Sequence, residues 1–259
     1  MIDPRAVIDP SAQLAEDVTV GAYSVIGPSV SVGRGTWIGP HVVINGPARI
    51  GENNRIFQFA SLGEIPQDKK FRGEDSELSI GNRNTIREYV TINRGTALDR
   101  GKTMVGDENW IMAYVHIAHD CQVASRTIFS NGATLAGHVQ VADKAILGGF
   151  TLVHQYCRIG THAFCGMGTA LNRDLPPYVM ASGNLARPFG LNREGLKRDG
   201  IAQETVRALQ RAYKVLVRVG TVPEEEKQVI DNLRRDYVEV ERFASFIEVS
   251  SRGIVRNAD

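Results

Sequence analysis

The sequence has few cysteines, no long apolar run and almost no net charge, and each of these absences excludes a class of protein. Its three cysteines, Cys121, Cys157 and Cys165, form no CxxC pair. A disulfide scaffold or a structural zinc site is therefore not expected, and a reducing cytoplasm is the expected location. No stretch approaches the roughly 20 continuous apolar residues of a membrane span, and the first residues do not resemble a signal peptide.

The charges nearly cancel, because 30 Lys and Arg residues face 29 Asp and Glu residues. This balance excludes a globally basic nucleic-acid binder and a long acidic tail. Apolar residues make up 42% of the 259 residues, enough for a sizeable core. Glycine is in excess, with 26 residues, and a repeat accounts for it.

An aliphatic residue recurs every sixth position through most of the chain, with two skipped hexads and one shift of a single residue. A glycine often follows it, and 24 of these 26 positions are Ile, Leu or Val. The positions are Ile2, Ile8, Leu14, Val20, Ile26, Val32, Ile38, Ile44, Ile50, Ile56, Leu62, Ile80, Ile86, Ile92, Val105, Ile111, Ile117, Val123, Phe129, Leu135, Val141, Leu147, Val153, Ile159, Cys165 and Leu171.

A period of six fits neither a helix nor an alternating strand, and it predicts a parallel β-helix of hexapeptide repeats. Each hexad forms one short strand and a turn, three hexads close a triangular coil, and the aliphatic residue points inward. Glycine after that residue is expected to supply the corner conformation and the close approach of coils. An ordinary β-sandwich with glycine-rich turns is the disfavoured alternative.

The repeat predicts a β-helix over residues 1–175, interrupted by inserted loops at 64–78 and 93–104. Insertions into such a repeat leave from one corner, often on the binding side. The period then changes, and residues 190–259 are predicted to form a small C-terminal α-helical domain. Its helices are expected at 203–219, 223–235 and 238–249, with a capping box at Thr221-Val-Pro-Glu.

The charge of the helical region is uneven, at +5 over residues 187–220 and −3 over 221–259. The basic half is either a solvated helix face or a docking surface for an acidic partner. The candidates for docking are Arg193, Lys197, Arg198, Arg207 and Arg211.

Five of the six histidines fall within 47 residues: His116, His119, His138, His154 and His162. His119 and His138 are 19 residues apart, about one 18-residue coil, so they are expected on nearly aligned edges of adjacent coils. Such a group suits general-base catalysis or a zinc site. Acid–base chemistry is favoured, because no spacing of metal ligands is recognisable.

At these residues the sequence resembles the acyl-[acyl carrier protein]–UDP-N-acetylglucosamine O-acyltransferase family of lipid A synthesis. The resemblance covers the whole chain, and five blocks carry it. They are Gln58-Phe-Ala-Ser, His116-Ile-Ala-His-Asp-Cys, Ala133-Thr-Leu-Ala-Gly-His-Val, Val153-His-Gln-Tyr-Cys and Asn192-Arg-Glu-Gly-Leu-Lys-Arg. The resemblance implies a left-handed β-helix, against the usual right-handed rule, and a homotrimer with active sites between subunits.

The resemblance also implies a reaction, the transfer of a 3-hydroxyacyl chain from acyl carrier protein to the 3-hydroxyl of UDP-N-acetylglucosamine. His119 matches the general base, Asp120 the acid that orients it, and Gly137 the backbone N–H that stabilises the oxyanion. No metal or cofactor is implied. The matching substrate-binding positions are Asp68, Lys70, His116, His138, His154, Gln155, Asn192, Glu194 and Arg198.

Three positions depart from the family pattern. Asp199 stands where relatives often have a second phosphate-binding Arg. Asn93 stands in Thr91-Ile-Asn-Arg-Gly where His is common, which leaves N-acylation of a 3-amino sugar open. Met167 stands where long-chain enzymes have Gly, so it is expected to close the acyl groove and select a short donor of about ten carbons.

Three other functions stay open on the sequence alone. The N-acyltransferase that acts later in the same pathway has an additional N-terminal domain, which a repeat beginning at Ile2 argues against. A zinc hydrolase or carbonic anhydrase would need three histidines around an open metal position. A non-catalytic rod would be indifferent to loss of His119.

Overall fold

The computed structural model describes residues 1–97, 99–219 and 224–256. The hexads form short strands that stack in three parallel sheets along one axis, as predicted, and the left-handed parallel β-helix with C-terminal helices is confirmed. Sheet I contains Val7–Ile8, Val25–Ile26, Val43–Ile44, Ser61–Glu64, Thr91–Asn93, His116–Ile117, Thr134–Leu135, Leu152–Val153 and Ala170–Leu171. Sheet II contains Gln13–Leu14, Val30–Val32, Ala48–Ile50, Glu77–Ile80, Lys102–Val105, Gln122–Val123, Gln140–Val141 and Arg158–Ile159.

Sheet III completes the triangle and carries the chain into the C-terminal region. Its last two strands, Val179–Ser182 and Arg187–Leu191, pair antiparallel with each other, so the sheet extends past residue 175. The strands before them are Thr19–Val20, Trp37–Ile38, Arg55–Ile56, Thr85–Ile86, Trp110–Ile111, Ile128–Phe129, Ile146–Leu147 and Phe164–Cys165.

The repeated aliphatic position forms the core, because equivalent residues of neighbouring coils pair in register. Ile117, for example, pairs with Ile92 on one side and Leu135 on the other. From Val20 to Leu171 every one of these positions is buried. Ile2 is exposed because it lies in the first coil, which no further coil covers.

The two insertions explain the breaks in the period. Ser61 pairs with Val43, 18 residues back, but with Thr91, 30 residues ahead, so twelve extra residues lie between them. Thr91 pairs with His116, 25 residues ahead, so the second insertion adds seven and shifts the phase by one. Both excursions are shorter than 64–78 and 93–104, because the ends of each range belong to strands.

The corner conformation falls on a different residue from the one the sequence indicated. In most coils the third residue after the inward position has positive φ, as at Tyr23, Asp120 and His138, with values from 60° to 64° at these three. The glycine directly after the inward residue instead allows close stacking, since a Cβ on Gly21 would lie 2.5 Å from the backbone nitrogen of Pro40.

The helical region begins with α1 (Arg193–Arg198) and α2 (Gln203–Tyr213), which continues as a π-helix over Lys214–Val219. Helices α3 (Glu224–Asp236) and α4 (Val238–Glu248) follow within a residue or so of the predicted bounds. The predicted capping box at Thr221-Val-Pro-Glu begins outside the described residues. Among the described residues, no helix is both long and apolar enough to cross a membrane.

Candidate active site

His119, Asp120 and His138 lie together on the edge between sheets I and II, which we call the histidine edge. Their coils are adjacent, and the His138 backbone N–H donates to the His119 carbonyl at 3.0 Å. The two imidazoles meet edge to face, with centroids 5.0 Å apart. The alignment expected from their 19-residue spacing is therefore present.

His119 and Asp120 form a hydrogen-bonded pair. His119 Nδ1 lies 2.9 Å from Asp120 Oδ2, and the side chains are 14% and 0% exposed. An ionised carboxylate only accepts hydrogen bonds, so Nδ1 carries the proton and Nε2 is left as an acceptor. Such an arrangement can orient a histidine for general-base chemistry.

The second inserted loop, to which the sequence assigned no role, supports Asp120. Thr96 donates its backbone N–H to Oδ1 at 2.9 Å and its hydroxyl to Oδ2 at 2.7 Å. Burial alone would raise the pKa of Asp120, but the hydrogen bonds from His119 and Thr96 outweigh it and lower the pKa. Asp120 therefore stays ionised at neutral pH.

The same loop contacts His138. Nδ1 of His138 lies 2.9 Å from Oδ2 of Asp99, which belongs to the loop. The His138 ring stacks on Tyr156, with centroids 4.3 Å apart and planes 6° from parallel. His138 is thus held on two sides, by a carboxylate and by an aromatic ring.

His116 and Gly137 complete the surroundings of His119. Nδ1 of His116 lies 2.7 Å from the Thr91 hydroxyl. Burial, with a smaller contribution from nearby His119, lowers the pKa of His116, which is neutral at pH 7. Gly137 lies against the His119 ring, and its N–H has no acceptor among the described residues.

An apolar groove of about 270 Å³ on the outer face of sheet I adjoins the histidine edge. His154 lies at its margin, where Nδ1 is 3.3 Å from an Arg252 nitrogen, and the neighbouring Gln155 is exposed. The apolar lining residues are Ala136, Leu152, Val153, Ala170, Leu171 and Leu185.

Met167 lies at the far end of this face, on the corner that leads into strand Ala170–Leu171. That strand is three coils from His116–Ile117, or about 14 Å along the axis at about 4.8 Å per coil. Met167 is 81% exposed. Its side chain passes Gly149, where an added Cβ would lie 4.0 Å from Met167 Cγ.

Asp68 and Lys70 lie in the first inserted loop, where the Lys70 N–H donates to Asp68 at 2.9 Å. No hydrogen bond or ion pair among the described residues links either of them to His119. Asn93 is buried and donates to the Ile65 carbonyl at 2.8 Å, so it joins the two insertions. Its Oδ1 has no hydrogen-bond partner in the described part of the chain.

Helix α1 lies against a different edge, between sheets II and III. Its N-cap, Asn192, accepts from the Gly195 N–H and donates to the His162 carbonyl. Asp199 at its other end pairs with Lys144 and, at 3.1 Å, with His162 Nε2. The hydrogen bond from Lys144 lowers the pKa of Asp199.

Three of the predicted substrate positions therefore lie away from the histidine edge within one chain. Glu194 and Arg198 are exposed on α1, while Asn192 is buried as its cap. The basic residues proposed for docking are all exposed, although Arg211 lies 3.2 Å from Glu226.

The structure brings together possible metal ligands that the sequence spacing did not reveal. One ligand atom from each of His119, Asp120 and His138 lies within 4.8 Å of the others. Three such groups are the number that a catalytic zinc site uses.

Two family models match the chain. One, described as Udp N-acetylglucosamine O-acyltransferase, Domain 2, matches residues 174–255. The other, Bacterial transferase hexapeptide (six repeats), matches residues 102–137. Together with the fold and the histidine edge, they define a hexapeptide-repeat acyltransferase.

Full-length relatives and solved structures narrow this class. Enzymes named acyl-[acyl-carrier-protein]–UDP-N-acetylglucosamine O-acyltransferase from Herminiimonas arsenicoxydans and Thiobacillus denitrificans are each 54% identical, covering 99% and 98% of this chain and 99% of their own. The UDP-N-acetylglucosamine acyltransferase structure from Francisella novicida superposes with a TM-score of 0.96 at 42% identity, covering 100% of this chain and 95% of that one. This chain belongs to the acyl-[acyl-carrier-protein]–UDP-N-acetylglucosamine O-acyltransferase family.

Proposed function

We propose that this enzyme transfers a 3-hydroxyacyl chain from acyl carrier protein to the 3-hydroxyl of UDP-N-acetylglucosamine, the first step of lipid A synthesis, in the cytoplasm. The observation that carries the proposal is the His119–Asp120 pair beside an apolar groove. The pair supplies a base, and the groove suits an acyl chain.

His119 acts as the general base. A sugar hydroxyl is a weak nucleophile at neutral pH, so its proton passes to Nε2 as the oxygen attacks the thioester carbonyl carbon. The carbon–sulfur bond then breaks, and the leaving thiolate takes the proton from the imidazolium. Asp120 stays ionised throughout and stabilises that cation.

Gly137 serves as the oxyanion donor. The thioester oxygen becomes negative in the tetrahedral intermediate. The Gly137 N–H, which has no acceptor within the described part of the chain, is available to it. His116, His138, His154 and Gln155 bind substrate around this point. The chemistry needs no cofactor.

The site is completed by a neighbouring copy in a homotrimer. Asn192, Glu194 and Arg198 belong to a helix on another edge of the same chain. An adjacent subunit can present its own α1 to the histidine edge, which would bring these residues to the nucleotide and pantetheine. We also assign Asp68 and Lys70 of the first inserted loop to substrate contacts, because both match substrate-binding positions of the family.

The donor is short, at about ten carbons, because Met167 closes the groove. A longer chain would leave methylene groups unburied, each forfeiting about 0.8 kcal/mol. Met167 lies at the corner opposite the histidine edge of the same face, which suits this role.

The test is mass spectrometry of the product formed from UDP-N-acetylglucosamine and a panel of acyl-carrier thioesters. An ester product is expected, and His119→Ala should fold normally yet lose orders of magnitude of turnover. Efficient acylation of a 3-amino UDP-sugar instead would support the amide-forming alternative. Appreciable activity of His119→Ala would overturn the assigned base.

A zinc enzyme is the second candidate, favoured by the clustering of His119, Asp120 and His138. Metal analysis of the purified protein decides between them. Stoichiometric zinc and activity lost to a chelator would support it, whereas a metal-free active enzyme excludes it.

A further inference from the structure

The second inserted loop is fastened to the β-helix at both ends. The Gly95 N–H donates to the Glu77 carbonyl, and the Glu77 N–H donates to the Gly101 carbonyl at 2.8 Å. Lys102 and Glu77 form an ion pair at 2.8 Å. A Cβ on Gly95 would lie 2.1 Å from the Lys102 nitrogen, so the two ends of the loop touch.

We propose that this loop is the positioning element of the active site, with Thr96 fixing the Asp120 carboxylate and Asp99 fixing the His138 ring. The proposal rests on the proposed function. Thr96 and Asp99 touch no reacting atom in that mechanism, so both are positioning residues.

Thr96 binds both oxygens of Asp120. The Thr96 N–H donates to Oδ1, and the Thr96 hydroxyl donates to Oδ2. Oδ2 is the same oxygen that accepts a hydrogen bond from His119. The carboxylate plane is thereby fixed, and with it the direction of the His119 ring. The Asp120 N–H donates to the Thr103 hydroxyl, which lies in the strand Lys102–Val105 directly after the loop, so Asp120 is held by its backbone as well as by its side chain.

The burial of Thr96 and Asp120 makes these bonds necessary. Each residue is 1% exposed, and a buried carboxylate without donors is costly. The core pairing Ile92–Ile117 continues across the insertion without using it. The loop is thus not needed to close the coil, and its contacts serve the histidine edge.

Asp99 fixes the orientation of the His138 ring, as Thr96 fixes that of the Asp120 carboxylate. Its carboxylate lies at 2.9 Å from Nδ1, whereas Asp120 Oδ2 lies at 3.9 Å from the same nitrogen. Asp99 is therefore the hydrogen-bond partner that sets the proton on Nδ1 and directs Nε2 away from the loop. Stacking on Tyr156 fixes the plane of the ring.

The experiment compares Thr96→Val with Thr96→Ser. Thr96→Val removes the hydroxyl at similar size, and we expect kcat to fall about tenfold or more with little change in KM. Thr96→Ser should restore most of kcat. Thr127→Val is the matched control, because it removes a buried hydrogen bond from a threonine hydroxyl to Asn109 that lies away from the site. This variant should leave kcat unchanged.

A double-mutant cycle identifies the route of the effect. In an Asp120→Asn background, Thr96→Val should cost little further activity, because both act through one carboxylate. Wild-type kcat in Thr96→Val, or full additivity with Asp120→Asn, would overturn the proposal for Thr96. For Asp99, Asp99→Ala should lower kcat, with Glu108→Gln as a control acid paired elsewhere with Arg83.

A readout without substrate separates this proposal from the proposed function. In protein labelled with ¹⁵N-histidine, Thr96→Val should change the ring nitrogen shifts of His119, and Asp99→Ala those of His138. Unchanged shifts would overturn the positioning roles. An inactive wild type with shifts that respond as expected would instead overturn the assigned reaction and leave the loop's role intact.

Discussion

Gly137 lies directly beneath the imidazole of His119. A Cβ built on Gly137 would be 2.6 Å from Cε1 and 2.8 Å from Nε2 of that ring, closer than real Cβ contacts come. The absence of a side chain at 137 is therefore a condition for the position of His119, besides any role of its N–H in catalysis.

Gly137→Ala should move the His119 ring and lower kcat about a hundredfold, since displacements of about 1 Å can cost that much. Circular dichroism and the melting temperature should stay close to wild type, because the ring borders solvent and can give way. Steady-state kinetics measures the effect. The matched control for folding is Gly149→Ala, whose Cβ would have no neighbour closer than 3.5 Å among the described residues. An undiminished kcat in Gly137→Ala would contradict the geometry.

His116 should make the stability of the fold depend on pH. Burial holds the pKa of His116 in the folded protein below the ordinary histidine value of about 6.5, so the unfolded chain binds a proton more readily. Stability is therefore complete above about pH 6.5 and falls as the pH drops toward the folded value, by at most about 1.4 kcal/mol per pH unit.

His116→Gln removes this dependence. Thermal melting of both proteins between about pH 7.5 and pH 5.5 should show the wild type losing more stability than the variant. His162, whose pKa burial also lowers, is present in both and cancels in the comparison. Parallel curves over that range would refute the assignment to His116.

The basic surface of the helical region should dock the acidic carrier protein. Arg207 is exposed on α2, and Arg207→Glu should raise the KM for the acyl carrier severalfold at low salt and less at high salt, because salt screens the attraction. Arg34→Glu, an exposed site near the start of the β-helix, is the control. A KM for the acyl carrier that stays at the wild-type value in Arg207→Glu at low salt would show that the surface is only a solvated helix face.

Met167→Gly should lengthen the groove. We expect the ratio of kcat/KM for fourteen-carbon over ten-carbon donors to rise, because the longer chain then buries about four more methylene groups at about 0.8 kcal/mol each. A wild type that already prefers fourteen carbons, or a ratio unmoved by the substitution, would show that Met167 does not set donor length.

The fold was predictable because one local rule repeats. Ile26, Ile44 and Leu62 are the inward residues of three successive strands of sheet I, and their stacking needs no information from elsewhere in the chain. The pairing of His119 with Asp120 was also predictable from the sequence, because the two residues are neighbours in the chain and match a known pair of the family.

The support of the site was not predictable from the period. Thr96 meets Asp120 across 24 residues and Asp99 meets His138 across 39, and both lie in an insertion that has no register. The phase shift of one residue shows where the chain leaves the coil, but it does not show which residues the side chains of the insertion contact. The role of Asn93 was equally hidden, because it contacts the other insertion.

The stacking of coils also restricts how donor length can change. Neighbouring coils are separated by about 4.8 Å, so a residue that closes the groove can be placed only at discrete heights above His119. Adding or removing one 18-residue coil between them would change the reach by one such step, a few methylene groups at once. Finer adjustment is left to the size of a single side chain, which is the role we propose for Met at position 167.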